Sequence, residues 1–245
     1  MHQSTSWSAR LALRVNRVVQ YLSRDALGGP RLLKLAWVIN FQKAGTAPLI
    51  GALMWHYGNT TPAAWIYLGL HGSYGLCWLM KDVAVPDRGW QARVTIGGAI
   101  MSFLLVLGPY WVIPWLLLSG VLGPDHAQPS PAMMAACVGL HTIGVALMIG
   151  ADSQKNAVLR IRSGLIEDGF YSRTRHPNYL GEMAVYASYA LMVRHWIPWM
   201  ILGSIWTFVF LTNIAAQEAS LSRHPGWAAY KARTGLLWPR SLTGH

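Results

Sequence analysis

Arg175-His176-Pro177-Asn178-Tyr179-Leu180-Gly181-Glu182 places two basic groups, an amide, a phenol and a carboxylate at the entrance to an apolar run that continues to Val193. Ionisable side chains are costly at the edge of a bilayer and, where they occur, usually face a ligand or a partner. Pro177 pre-sets the first turn of a helix, so the free backbone N–H groups that begin near Asn178 point out of its start. With Arg175 and His176 beside them, these groups suit a phosphate or a carboxylate. Tyr179 and Glu182 lie three residues apart on one face, which Tyr186 and Tyr189 continue one and two turns deeper. The plainer alternative is an Arg-His cap over a Glu satisfied by a neighbouring helix.

The elements that must position this octet are membrane helices. Of the 245 residues, 53% are hydrophobic and only 12% charged, and thirteen are Trp. That composition, with a positive mean hydropathy, does not describe a soluble globule. Crossing a hydrocarbon layer of about 30 Å takes roughly 17 to 25 helical residues. Six apolar windows meet that length: Ala36 to Tyr57, Pro62 to Met80, Val94 to Ser119, Pro131 to Gly150, Asn178 to Val193 and Trp196 to Ala216. The fifth is short, so it is expected to begin inside the protein. The expected fold is all-α: a polytopic bundle of six transmembrane helices preceded by an amphipathic helix, in one integral membrane domain. Within it, residues 1–35 form the amphipathic segment, 36–150 a four-span lipid-substrate half and 151–245 a cofactor-binding half.

Charge sets the orientation, because Lys and Arg collect on the cytoplasmic side of short loops. Arg10, Arg14, Arg17, Arg24, Arg31 and Lys34 precede the first span, and Lys81, Arg88 and Arg93 fill the second connection. The His56 to Thr61 turn and the Gly120 to Ser130 loop carry none. The alternation puts both termini in the cytoplasm and explains most of the net charge of +11, with no nucleic-acid motif accompanying it. Leu11, Val15, Val18 and Leu22 recur at helical spacing with Arg10, Arg14 and Arg17 on another face, as in an interfacial helix on anionic lipid. The start is too polar and arginine-rich for a cleaved signal peptide. Gly123-Pro124, Pro129 and Pro131 predict a rigid outer loop, and Asp152 to His176 the longest cytosolic connection. Cys77 and Cys137 lie in apolar spans and read as buried free thiols. The nine His residues are scattered without His-x-x-x-His or His-Glu-x-x-His spacing, so no metal is expected.

Arg-His-Pro-Asn-Tyr-Leu-Gly-Glu resembles the signature of the membrane superfamily that contains steroid 5α-reductases, sterol C14 and C7 reductases and isoprenylcysteine carboxyl methyltransferases. Asp152-Ser153-Gln154-Lys155-Asn156-Ala157 is similar to the Asn-x-Gln-Lys-Asn-Ala segment of sterol reductases. Glu218 to Arg223, Gly226-Trp227, Tyr230 and Arg233 are similar to the C-terminal segment that closes over the cofactor. The resemblance covers about Asp152 to Arg240. It implies a cofactor held by Asp152, Lys155 and Asn156 of the second block, by Arg160 and Tyr171 between the blocks, and by Arg175, His176, Asn178, Tyr179 and Glu182 of the octet. Glu218, Arg223, Tyr230 and Arg233 of the tail complete that set.

Reductases of this superfamily bind NADPH there, and its methyltransferases bind S-adenosylmethionine in the corresponding place. Asn178 and Glu182 match the reductase version, and Lys155, Arg160, Arg162 and Arg173 add charge that a 2′-phosphate and pyrophosphate use. The expected activity is NADPH-dependent reduction of a C=C bond in a steroid-, sterol- or isoprenoid-like substrate, in the manner of a 3-oxo-5α-steroid 4-dehydrogenase. The alternative is an S-adenosylmethionine-dependent methyltransferase of the isoprenylcysteine or phospholipid type. A non-catalytic sterol-holding module is the third reading. Gly-x-Gly-x-x-Gly is missing, so a Rossmann site is excluded. The sequence departs from the resemblance at Ala216, where sterol reductases carry Arg, and at Gln42-Lys43, where the 5α-reductases have Gln-Glu.

Hydride delivery to a conjugated C=C bond also needs a donor that polarises the carbonyl. Gln42 and Lys43 interrupt the first span, and His71 and Tyr74 the second. Tyr74 is the expected acid, because a neutral hydroxyl tolerates burial; His71 and Gln42 are the other catalytic candidates. Whether Lys43 instead pairs with Glu182 stays open at this point.

Overall fold

The structure is a computed structural model, and it describes residues 7–123 and 128–240. Among these, helices dominate. α1 spans Trp7–Arg24, α2 Leu35–Tyr57 and α3 Pro62–Ala84. α4 runs over Ile96–Leu118, α5 over Pro131–Ile161, α6 over Pro177–Val193 and α7 over Trp196–Leu221, and a short α8 spans Trp227–Arg233. Gly123-Pro124, the start of the expected outer loop, runs into residues outside those described.

The helix starts follow local chemistry. Thr61 and Ser130 accept from Ala64 N at 3.3 Å and Met133 N at 3.2 Å, each ahead of a proline at the first helical position. Gly58, at φ +62°, closes α2 in the left-handed conformation that glycine adopts without strain. α4 and α7 are interrupted by one wide turn each, at Phe103–Leu107 and Trp206–Phe210.

Three of these helices, α4, α5 and α7, are long and apolar enough to cross a membrane. α2 and α3, 23 residues each, are inside-out by the standards of a soluble bundle. Gln42, Lys43, His71 and Lys81 are buried, while Phe41 is 62% and Trp55 86% exposed. On both helices polar side chains face inward and large apolar ones face outward.

The expectation differs from the structure in three places. α5 continues to Ile161, so Asp152 to Asn156 lie on a helix and not in a connection. At about 1.5 Å per residue it outruns a layer of about 30 Å, which carries its polar last turns beyond the apolar region. A two-stranded antiparallel pair, β1 (Arg31–Lys34) with β2 (Arg93–Thr95), also interrupts the all-helical pattern and ties the entrance of α2 to that of α4. Finally, α1 packs along α4 and α7: Asn16 Nδ2 donates to Asn213 Oδ1 at 2.8 Å, and Ser102 Oγ to Ser23 O at 3.1 Å. Its Leu11, Val18 and Tyr21 remain exposed.

α5 and α6 come into backbone contact at a pair of glycines. A Cβ on Gly144 would lie 2.7 Å from Gly181 O, and one on Gly181 2.6 Å from Gly144 O. Gly181 of the octet is therefore required by backbone contact, the small-residue packing common between helices in membranes.

Candidate active site

A cavity of about 530 Å³ opens where α1 to α7 converge, within the usual range of about 300–1,000 Å³ for small-molecule sites. Its polar end is walled by Lys155 and Asp152 of α5, Asn178, Tyr179 and Glu182 of α6, and Gln217 of α7. Its apolar end is walled by Trp78, Leu107, Tyr110, Met148, Tyr186 and Phe210, with Lys43 among them. Asn16, Gln20 and Arg24 of α1 cover one side.

The five predicted cofactor residues on this wall are Asp152, Lys155, Asn178, Tyr179 and Glu182, and the helical periods explain their meeting. Asp152 and Lys155 are three residues apart on α5, as are Tyr179 and Glu182 on α6, and α5 and α6 are the pair joined at Gly144 and Gly181. Asp152 forms an ion pair with Lys81, whose ammonium also lies 4.9 Å from the ring centroids of Trp78 and Trp90. The Tyr179 hydroxyl accepts from Gln217 Nε2 at 3.0 Å. Lys155, Asn178 and Glu182 have no side-chain hydrogen bond or ion pair among the described residues. On the side that α1 covers, the Arg24 Nε is buried and has no hydrogen-bond partner among the described residues.

Arg175, His176, Glu218, Tyr171 and Tyr230 come together in a different place and are satisfied by one another. Arg175 Nε donates to Glu218 Oε1 at 2.9 Å, and its Nη1 donates to Thr234 O at 2.7 Å. His176 Nε2 lies 2.9 Å from Glu218 Oε1. Tyr230 donates to Tyr171 O at 2.9 Å, and Tyr171 to Ala151 O at 3.2 Å. The backbone joins in: Arg175 N donates to Gly235 O at 3.0 Å and His176 N to Leu236 O at 3.2 Å. Burial raises both phenols, Tyr230 to about 12. This cluster latches α8 and the tail onto the start of α6.

The remaining predicted residues lie elsewhere. Arg160 and Arg223 are exposed on the surface, and Arg233 pairs there with Glu167. Asn156 is half-buried beside the cavity's Lys155 but is not part of its wall. Gln42, His71 and Tyr74 are buried in the bundle and do not line the cavity. Gln42 Oε1 and His71 Nε2 have no partner among the described residues, and the His71 ring stacks on Tyr189 at 3.6 Å. Tyr74 Oη is 3.4 Å from Lys43 Nζ, which also donates to Tyr186 Oη. Lys43 makes no ion pair with Glu182.

Sequence reasoning passed over Trp78, Lys81, Tyr110 and Gln217. The one signal available was the Trp78-Lys81 spacing, which stacks a cation on an aromatic ring one turn away. Among the described residues no group of three or more His, Cys, Asp and Glu side chains could hold a metal ion.

Residues 87–234 match the family described as a protein of unknown function, DUF1295. The match takes in more than half of the chain. The chain belongs to this family. DUF1295 is associated with steroid 5α-reductase-like membrane proteins, so it extends the similarity seen in the octet back to the turn before β2. Curated proteins gave no match.

Proposed function

We propose that this protein is a membrane reductase that binds NADPH at the polar end of the cavity and reduces a C=C bond in a hydrophobic, steroid-, sterol- or isoprenoid-like substrate at the apolar end. The observation that supports this reading most directly is the division of one cavity into an end with unpartnered Lys155, Asn178 and Glu182 and an end of aromatic and aliphatic side chains. All three are half-buried, and half-buried polar groups on one cavity wall without a side-chain partner are available to a polar ligand. In this reading α2, α3 and α6 join α4, α5 and α7 as six spans. At about 1.5 Å per residue, α2 and α3 are long enough for a layer of about 30 Å, and their exposed faces are apolar. The distribution of Lys and Arg favours cytoplasmic termini, which puts the polar mouth on the side where NADPH is dissolved.

The residues present fit the cofactor. Lys155 and Arg24 offer positive charge to phosphate, and Asn178 offers an amide donor and acceptor. Bound there, NADPH supplies hydride. The chain's own contribution is to orient and to exclude water: the Lys81–Asp152 pair fixes the α3–α5 wall, Gln217 fixes Tyr179, and α1 covers the opening.

A second reading is favoured by one feature, since the cavity that holds the Glu182 carboxylate is also lined by Trp78, Tyr179 and Tyr186, groups that suit the sulfonium of S-adenosylmethionine. Parallel titration of the purified protein with NADPH and S-adenosylmethionine, followed by Trp emission, separates the two. Saturable NADPH binding that is lost in an Asn178→Ala, Glu182→Ala double variant is expected. Saturation by S-adenosylmethionine alone, or NADPH binding equal to that of the double variant, overturns the reductase reading.

A further inference from the structure

α1 turns uncharged polar groups inward and leaves cations and apolar side chains outside. Asn16, Gln20 and Ser23 line the cavity, and Asn16 Nδ2 and Gln20 Nε2 both donate to Asn213 Oδ1, at 2.8 and 3.2 Å. On the outward side, Arg10, Arg14 and Arg17 are exposed and, spaced four and three residues apart, form one stripe. Trp7, Leu11 and Val18 form a second stripe beside it and are also exposed. No Asp or Glu precedes Asp25 in the sequence, and Asp25 is itself paired with Arg31 at 2.6 Å. Among the described residues none of the three outward arginines makes an ion pair.

One environment satisfies both stripes. In water the apolar stripe stays hydrated, and in hydrocarbon three cations are stranded. At the boundary between lipid headgroups and acyl chains the arginines reach phosphates while Trp7, Leu11 and Val18 enter the acyl layer. A face with three cations and no carboxylate complements anionic lipid. The way α1 is held makes that contact matter to the cavity. Its C-terminal end is pinned to the start of α4: Ser102 Oγ donates to Ser23 O at 3.1 Å, Thr95 Oγ1 donates to Ala26 O at 2.9 Å, and a Cβ on Gly98 would lie 2.7 Å from the Arg24 carbonyl carbon. Nearer its middle, the Asn16 and Gln20 amides hold it to Asn213 of α7, along the side of the cavity.

We propose that anionic phospholipid binds the outward face of α1 through Arg10, Arg14 and Arg17, and thereby holds Asn16 and Gln20 against Asn213 over the cavity. Lipid that binds α1 better in its closed position shifts the helix toward closure. α1 is then a cover whose closure depends on the charge of the surrounding membrane, whichever ligand the cavity takes.

The full chain in nanodiscs of phosphatidylcholine, with or without an equal share of phosphatidylglycerol, tests both halves of this. Backbone hydrogen exchange of residues 7–24 reports how often α1 lifts. Acetylation of Lys155 by acetic anhydride reports access to the cavity wall, and Lys231, exposed on α8, corrects for reagent and surface pH. Phosphatidylglycerol is expected to slow exchange of α1 and acetylation of Lys155 each about tenfold. A combined Arg10→Gln, Arg14→Gln, Arg17→Gln variant should lose both effects, and the corresponding triple Lys variant should keep most of each. High salt should shrink both in the wild type. Equal exchange in the two lipids overturns the proposal, as does a phosphatidylglycerol effect that survives the triple Gln variant. Slower exchange of α1 with unchanged acetylation of Lys155 overturns its role as a cover. If the triple Gln variant fails to fold, the lipid and salt comparisons on the wild type still decide.

Discussion

The two ends of one octet have opposite hydrogen-bonding fates. Arg175 and His176 turn away from the cavity and are tied to Glu218, Thr234 and the tail backbone. Asn178 and Glu182, on the helix that follows directly, face the cavity with no side-chain hydrogen bond among the described residues. Sequence distance does not separate the two pairs, but their partners do. A charged or polar group near a candidate site thus acquires its role from what surrounds it. A satisfied group holds the fold, and an unsatisfied one on a cavity wall is available to a ligand.

Glu218 is where this contrast is broken most visibly. Glu218→Ala leaves Arg175 and His176 buried without their carboxylate, and removal of one partner from a buried pair costs about 3–5 kcal/mol. Thermal unfolding in detergent should show that loss, and a variant as stable as the wild type would mean the latch is not structural. Gly181→Ala comes next. Its Cβ would lie 2.6 Å from Gly144 O and Met148 N, and overpacking of this kind costs about 1–3 kcal/mol; NADPH binding should weaken with it, because Asn178 and Glu182 ride on the displaced helix. Lys155→Ala sharpens the other side. Stability should change by no more than about 0.5 kcal/mol, while NADPH affinity falls about tenfold, or about 1.4 kcal/mol. Equal loss of stability and affinity in a titration series would place Lys155 with the latch.

Much of the helical layout was legible in the sequence. The apolar windows at Ala36 to Tyr57 and Asn178 to Val193 match α2 and α6 to within one residue at each end; Gly58 closes the first, and Pro177 opens the second. The far end of α5 was not legible: Asp152 to Asn156 are mostly polar, and a polar stretch beyond an apolar window reads as a loop when the helix in fact continues. The pairing of β1 with β2 was hidden for another reason, since four and three residues carry too little pattern to show a strand. For the candidate site, spacing on a single helix placed Tyr179 and Glu182 on one face. It could not show that Arg175 finds Glu218, 43 residues away, or that Lys43 finds Tyr186, 143 residues away. Those contacts depend on how helices pack, which no local pattern records.

The smallest expected effect tests how far the latch extends. Tyr230 donates to Tyr171 O at 2.9 Å, in the same cluster as Arg175 but at its edge. Tyr230→Phe keeps the ring and removes the donor, so the loss should be about 1 kcal/mol. The same bond has a pH dependence of known sign. Burial raises the Tyr230 hydroxyl from 10.0 to about 12, so its contribution is fully present below pH 10 and is lost as pH rises from there through about 12. Hydrogen exchange of the 235–240 backbone in the wild type should therefore accelerate over that interval, and Tyr230→Phe should remove the part of the rise that this phenol causes. A rise identical in both proteins would place Tyr230 outside the latch, and the tail would then be held by Thr174, Arg175, Glu218 and the backbone.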